Sequence, residues 1–396
     1  MNHIIKKNFN KIFKYILLIY VVIGFYLSIN TGISTDEFIV QHKWNLNLEI
    51  IKSFLLNIGD GKFELLNYAW KYHGVGFSYI SEPYVAIISQ IIEIEDIPKN
   101  ASKALLNHSL LFITFFLSGI IARKIIYLII KDKIFSDIFL IFYLLYPYLL
   151  GHSFYNSTDI PFLFGWLISS LISIKIFLKI NKDEEITYLN IFLLALATSF
   201  LFSIRISGIL ILFQYFIGVL ITFNISKKKI LSILKIYILK IITFVIFTIS
   251  FTIMFYPILW INPYLIIDII NQQKAIPYGV CTLTLSNCMD SLNLPSTYIF
   301  IWLFFKIPLL SLFGLILFPI IEKKIFIDSN NKIIIGSIGL SVISIIFILI
   351  FLGANLYDEL RHILFIVPLI LIFSFTSLYF FSKKILLTIS IISIII

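Results

Sequence analysis

Nearly unbroken apolar runs long enough to cross a bilayer limit what this chain can fold into more than any other feature. Ile236 to Tyr256 and Ile333 to Leu352 each reach the roughly 20 residues that a helix needs to traverse the hydrocarbon core. Of the 396 residues, 60% are hydrophobic and 13% are charged. No soluble domain carries that balance, and a helix bundle in lipid requires it. Helices are the spanning element, because runs of this length lack the alternation of barrel strands and satisfy their backbone groups internally. The expected fold is all-α, a polytopic transmembrane helix bundle of about eleven spans. It forms a single transmembrane domain over residues 1–396.

The net charge of +10 is a topology signal. Lysines and arginines gather in short connectors: Lys6, Lys7, Lys11 and Lys14; Arg123, Lys124, Lys131 and Lys133; Lys227 to Lys229; Lys323, Lys324 and Lys332; and Lys383 with Lys384. The positive-inside rule puts these connectors on the cytoplasmic side. They do not form the aromatic-interleaved basic stripe that nucleic acid needs, so nucleic acid is not an expected partner. The basic, apolar start lacks a small-residue cleavage site and is read as a retained anchor.

With the N-terminus inside, span one (Tyr15 to Ile33) opens into a first outer loop at 34–107. Two interfacial helices are expected in it, at Leu46 to Asn57 and Tyr84 to Ile92. Further spans are expected at Leu105 to Ile130, Ile134 to Leu150 and Pro161 to Ile180. Two more should meet on the outside at Ser203 to Gly208, and a seventh runs from Lys235 to Trp260. A late outer loop occupies 262–297, followed by spans at Tyr298 to Ile321, Ile333 to Leu352 and His362 to Phe380. A short last apolar segment follows Lys384. Cys281 and Cys288 fall together in the late outer loop. There they form a disulfide in an oxidising compartment or remain two free thiols.

Four constellations converge on the outer face. Asp36-Glu37 leaves span one, where a partly desolvated carboxylate has a raised pKa and can act as a general base toward a hydroxyl. An ordinary interfacial acidic pair is the plainer reading. His152 to Pro161 packs His152, Asn156 and Asp159 into one short turn, where Asp159 also reads as a helix N-cap and Pro161 as an early helical residue. Arg205 sits among apolar residues and needs an anion or a carboxylate, with Asp159 the evident partner. Tyr357-Asp358-Glu359-Leu360-Arg361-His362 puts Arg361 and His362 where they can hold a phosphate, or where a helix cap pairs locally with Glu359.

The order of these features resembles the GT-C superfamily of polyprenol-phosphate-sugar-dependent glycosyltransferases, and family 39 in particular. That family includes protein O-mannosyltransferases and the lipid A aminoarabinose transferase. The resemblance is carried by Thr35-Asp36-Glu37, by His152 to Asn156 leading to Asp159-Ile160-Pro161, and by Arg205 to Gly208. Leu294 to Tyr298 with Lys306-Ile307-Pro308, and Tyr357 to His362 with Pro368, complete it. It implies catalytic roles for Asp36, with Glu37 beside it, and for Asp159. It implies lipid-phosphate and substrate contacts for Arg205, Lys306, Tyr357, Arg361, His362, His152 and Asn156. The donor would be a polyprenyl-phosphate sugar, and the acceptor a glycan, lipid or protein. The large late-loop β domain of the mannosyltransferases is missing from this sequence.

The expected activity is inverting sugar transfer at the periplasmic face of a bacterial inner membrane. No cofactor is required by the sequence. Oxygen ligands at Asp36 and Asp159 would suit magnesium or manganese. The rival classes are a transporter or flippase of lipid-linked saccharides, which would place ionisable groups near the midplane, and a polymerase or ligase using a diphosphate-linked donor.

Overall fold

The computed structural model describes residues 3–59, 61–92, 94, 97–227, 230–272 and 279–383. The expected last apolar segment, with Lys228, Lys229 and Lys384, lies outside them. The fold is all-α, apart from one two-stranded hairpin. Helix α1 (His3–Ile29) is followed by α2 (Thr35–Leu56), α3 (Ser78–Ile88), α4 (Lys99–Ile130), α5 (Lys133–Leu144) and α6 (Pro147–His152). The middle of the chain forms α7 (Asp159–Asn181), α8 (Tyr188–Ile204), α9 (Ile211–Ser226) and α10 (Ile230–Phe255). A single turn α11 (Ile258–Ile261) and α12 (Leu265–Gln272) precede strands β1 (Cys281–Thr284) and β2 (Asn287–Asp290). The chain continues through α13 (Tyr298–Lys306), α14 (Leu309–Ile325), α15 (Ser329–Phe351) and α16 (Ile366–Phe381).

Six helical stretches among the described residues are long and apolar enough to cross a membrane: α1, α4, α7, α9 with the turn before it, α10 and α15. The other expected spans differ in instructive ways. The span at Tyr298 to Ile321 is bent by 114° between α13 and α14, where Pro308 removes a backbone donor and disfavours helix at Ile307. Counting that pair as one span gives seven. The span at Ile134 to Leu150 is interrupted before Pro147 for the same reason, and α8 and α16 are apolar but shorter. The expected break at Ser203 to Gly208 is present: α8 stops at Ile204, and Arg205 is extended (φ −146°, ψ 129°).

Helix α7 is the hub, packed against α4, α8, α9 and α15. Trp166, Phe162, Phe112, Phe115, Phe139 and Phe375 are fully buried around it. Helices in lipid gain little from hydrophobic exclusion, so close backbone approach and interhelical hydrogen bonds do more of the holding. Gly218 faces the Phe177 ring, and Gly314 faces Ser374, whose hydroxyl donates to the Ser311 carbonyl at 2.7 Å. Three of the basic connectors meet at one end, where the Lys383 ammonium stands 3.6 Å from Asp132. There Asp328 caps α15 by accepting from the Asn330 amide at 2.9 Å and meets the Lys131 ammonium at 2.7 Å.

At the opposite end, Ser34 and Glu37 start α2, with the Ser34 amide donating to the Glu37 carboxylate at 2.7 Å. This cap begins the first interfacial helix at Thr35, well before the expected Leu46. The second, expected at Tyr84 to Ile92, is displaced toward the N-terminus as α3 (Ser78–Ile88), and α4 starts at Lys99, ahead of the expected Leu105. Gly74 and Gly76 then lay the loop directly on the end of α8. The Gly76 amide donates to the Ser203 carbonyl at 2.9 Å. A Cβ on Gly74 would stand 1.9 Å from that carbonyl oxygen, which is backbone and cannot rotate away. Gly74→Ala is therefore expected to lower the melting temperature of the purified protein clearly. Gly32→Ala, where a Cβ meets nothing within 4 Å, serves as the control with little change.

Candidate functional site

The end of the bundle opposite the basic connectors gathers charge from five segments. Asn156 sets up the first carboxylate: its side-chain oxygen accepts from the Asp159 amide at 2.8 Å and the Thr158 amide at 3.3 Å, while its amide nitrogen donates to Asp159 Oδ2 at 2.8 Å. Asp159 is thus the first residue of α7 and not its cap, and its side chain, 2% exposed, is free for ion pairing. Arg205 Nη1 reaches Asp159 Oδ1 at 2.7 Å, and Arg361 Nε reaches Asp159 Oδ2 at 3.2 Å. The expected Arg205–Asp159 pair is present.

Arg361 joins three carboxylates. Besides Asp159, its Nη1 pairs with Asp358 at 3.0 Å, and its Nη2 pairs with Asp36. Burial works against this charge, yet Asp159 and Asp36 more than offset it and raise the guanidinium's pKa. The local partner of Arg361 is Asp358. Glu359 turns instead to Lys306, whose ammonium is 2.6 Å away and also lies over the Tyr148 and Trp302 rings. Lys306 is engaged in this way, so a direct phosphate contact would require it to leave Glu359.

The segment carrying these carboxylates is strained. Asp358 and Glu359 both have left-handed backbones (φ 53° and 61°), a conformation that costs a non-glycine residue on the order of 1–3 kcal/mol. Tyrosines hold it in place: the Glu359 amide donates to the Tyr298 hydroxyl at 3.1 Å, and the Leu360 amide to the Tyr148 hydroxyl at 3.3 Å. Strain maintained by surrounding contacts is common at functional sites.

Asp36 and Glu37 have parted roles. Asp36 is 49% exposed and faces Arg361. Glu37 is 3% exposed and turns inward, where Oε1 accepts the Ser34 amide and Oε2 meets His108 Nε2 at 2.6 Å. His108 Nδ1 lies 3.1 Å from the Ser28 carbonyl. A carbonyl only accepts, so Nδ1 carries a proton, and the contact to Glu37 holds one more between carboxylate and ring. Glu37 therefore ties α1, α2 and α4 together and is not placed to meet a substrate.

Two groups here were not singled out in the sequence. Lys43 lies seven residues after Asp36, two turns along the same helix face. It is 6% exposed, and its ammonium makes no ion pair or hydrogen bond with any described residue. Burial, then Arg205, push its pKa down to about 8, against a smaller opposing effect of Asp36. His73 stands within electrostatic range of Lys43 and Arg205. Its Nδ1 is buried without a partner among the described residues, as is Nε2 of His362. Tyr357 meets the His362 ring edge-on at 4.2 Å. His152 accepts from the Asn156 amide at Nδ1 (3.2 Å), and burial lowers its pKa.

Asp36 and Asp159 do not form an open cation site, because the Arg361 guanidinium bridges them. No cluster of three or more His, Cys, Asp or Glu side chains suited to a metal occurs among the described residues. Cys281 and Cys288 are joined in a disulfide across β1 and β2. Fold and site together define an integral membrane protein with a cluster of ion-paired charges at one end of its helix bundle. Comparison with family models, curated proteins and solved structures finds no match to this chain.

Burial first, and the neighbouring cations second, push His73 and His362 down to about 3, below the usual value of about 6.5. The unfolded chain then binds more protons than the folded one between those values, so stability is lost as pH falls through that window. Thermal melting from pH 7 to pH 4 is expected to show this loss, and His362→Gln to flatten part of it. A second measurement concerns Glu37→Ala, which strands a buried histidine. It should destabilise by about 3 kcal/mol or more, whereas Asp36→Asn should stay near wild type.

Proposed function

We propose that this protein is a membrane glycosyltransferase that moves a sugar from a polyprenyl-phosphate donor to an acceptor hydroxyl, with inversion at the anomeric carbon. The observation that carries this reading is the pairing, on one face of α2, of a half-exposed Asp36 with a largely buried Lys43 whose ammonium makes no ion pair among the described residues. One seeks a proton and the other seeks an anion. Both stand at the end of a bundle whose apolar helices suit a lipid-borne substrate. The finer features belong to the same proposal: a GT-C-like fold, about eleven spans, and a site facing the periplasm of a bacterial inner membrane.

In this scheme the acceptor oxygen forms a bond to the anomeric carbon while Asp36 takes its proton. The bond from that carbon to the phosphate oxygen breaks, its electron pair stays with the phosphate, and polyprenyl phosphate leaves. Asp36 has one oxygen on Arg361, which fixes the carboxylate, and the other available to the hydroxyl. The charge developing on the phosphate is met by Lys43, with Arg205 and Arg361 adjacent. Asp159 and Asp358 are positioning residues, because they hold the two guanidinium groups. No step requires a metal between Asp36 and Asp159.

Gathering of charge at one end of the bundle supports an enzyme over a transporter, whose sites lie near the midplane. Purified protein incubated with a labelled polyprenyl-phosphate sugar is expected to release polyprenyl phosphate and label an acceptor. Asp36→Asn should lower kcat by about 100-fold or more with correct membrane insertion, and Lys43→Met should raise the donor KM. Undiminished turnover in the Asp36 variant would overturn the catalytic assignment. Movement of intact donor between leaflets without its cleavage would favour the flippase class.

A further inference from the structure

A cavity of about 420 Å³ opens beside Arg361, between α6 and the strained segment, within the size range of small-molecule sites. Tyr148, His152, Tyr155, Asp358, Glu359 and Arg361 supply its polar and aromatic walls. Its electrostatics are closed: Asp358 is paired with Arg361, and Glu359 with Lys306. Nothing in the wall therefore selects a net charge on the ligand.

Hydrogen-bonding capacity remains open. Each carboxylate uses one oxygen on its cation, and the other makes no hydrogen bond with a described residue. His152 spends Nδ1 as the acceptor from Asn156, which leaves Nε2–H as a donor without a partner among the described residues. Tyr155 is half-buried, and its ring stands 5.8 Å from the His152 ring, so an aromatic surface lies beside the donor and acceptors. The left-handed backbones of Asp358 and Glu359 hold both carboxylates at this wall.

Balanced charge, free acceptors, a free imidazole donor beside tyrosine hydroxyls, and an aromatic face make up the chemistry that recognises a ring of hydroxyls with an apolar face. We propose that this cavity is a subsite for a neutral sugar ring, contributed by the acceptor. The assignment of the ring to the acceptor rests on the glycosyltransferase reading, whereas sugar binding itself does not. A ring seated here would share Arg361 with Asp36.

Gly151 offers a clean way to fill the cavity. It lines the wall, and a Cβ there meets nothing within 4 Å. Full-length protein in lipid nanodiscs, free of sugar-based detergent, can be examined by saturation-transfer NMR with methyl hexosides. Methyl glucuronide and methyl glucosaminide serve as anionic and cationic comparisons. Saturation transfer to neutral hexosides is expected to exceed that to either charged sugar. Binding should weaken about tenfold in Tyr155→Ala and be lost in Gly151→Leu at an unchanged melting temperature. Absence of transfer, equal transfer to charged sugars, or full binding in both cavity variants would overturn the proposal. Polyprenyl phosphate should leave the hexoside bound if the ring belongs to the acceptor; displacement by a polyprenyl-phosphate sugar, but not by polyprenyl phosphate, would assign the ring to the donor and overturn that part. Hexoside binding retained in Asp36→Asn, with no sugar transfer by wild-type protein, would sink the glycosyltransferase reading and leave the sugar site standing.

Discussion

The Arg361 guanidinium is the contact on which the end of the bundle depends. It draws Asp36 from the start of α2, Asp159 from the start of α7 and Asp358 from its own turn onto a single planar group. Guanidinium suits this task because its donors are fixed in a fork and its charge persists when water is withdrawn. Its burial is tolerated because opposite charges surround it. The same condition makes it hard to replace, since deleting one member of such a group leaves the others stranded.

Around that contact the chain uses two kinds of support. Rigid support comes from the glycine pair on Ser203 and from the Glu37–His108–Ser28 relay, which lock the segment between α1 and α4 to α8, α1 and α4. Strained support comes from Asp358 and Glu359, whose backbones persist in a costly conformation because two tyrosine hydroxyls hold the neighbouring amides. Rigid parts therefore fix where the carboxylate of Asp36 stands, and strained parts fix where the other charges meet it.

Much of this was legible in the sequence because charge is rare in an apolar chain. Asp36, Asp159, Arg205 and Arg361 stood out on that ground, and their convergence follows from their lying at span ends of the same side. The helix break at Arg205 was legible as well. Lys43 was not, because the interfacial helix was placed from Leu46 and its spacing from Asp36 was lost. The Ser34-x-x-Glu37 cap was the available signal, and it also marks Glu37 as structural. His73 gave no signal of its own, because only tertiary contact puts it near Arg205. The broken spans carried their signal in Pro147 and Pro308, which apolar run length overrode.

The solitary ammonium of Lys43 has a consequence for how the molecule is built. Every other buried charge in the cluster is neutralised by the chain itself, so its cost is met during folding. Lys43 pairs with no carboxylate among the described residues, and only the more distant charge of Asp36 supports its ammonium. If the proposed donor binds here, its phosphate would complete the charge balance of this corner as much as serve as substrate. A sequence optimised for durability alone would discard this lysine first.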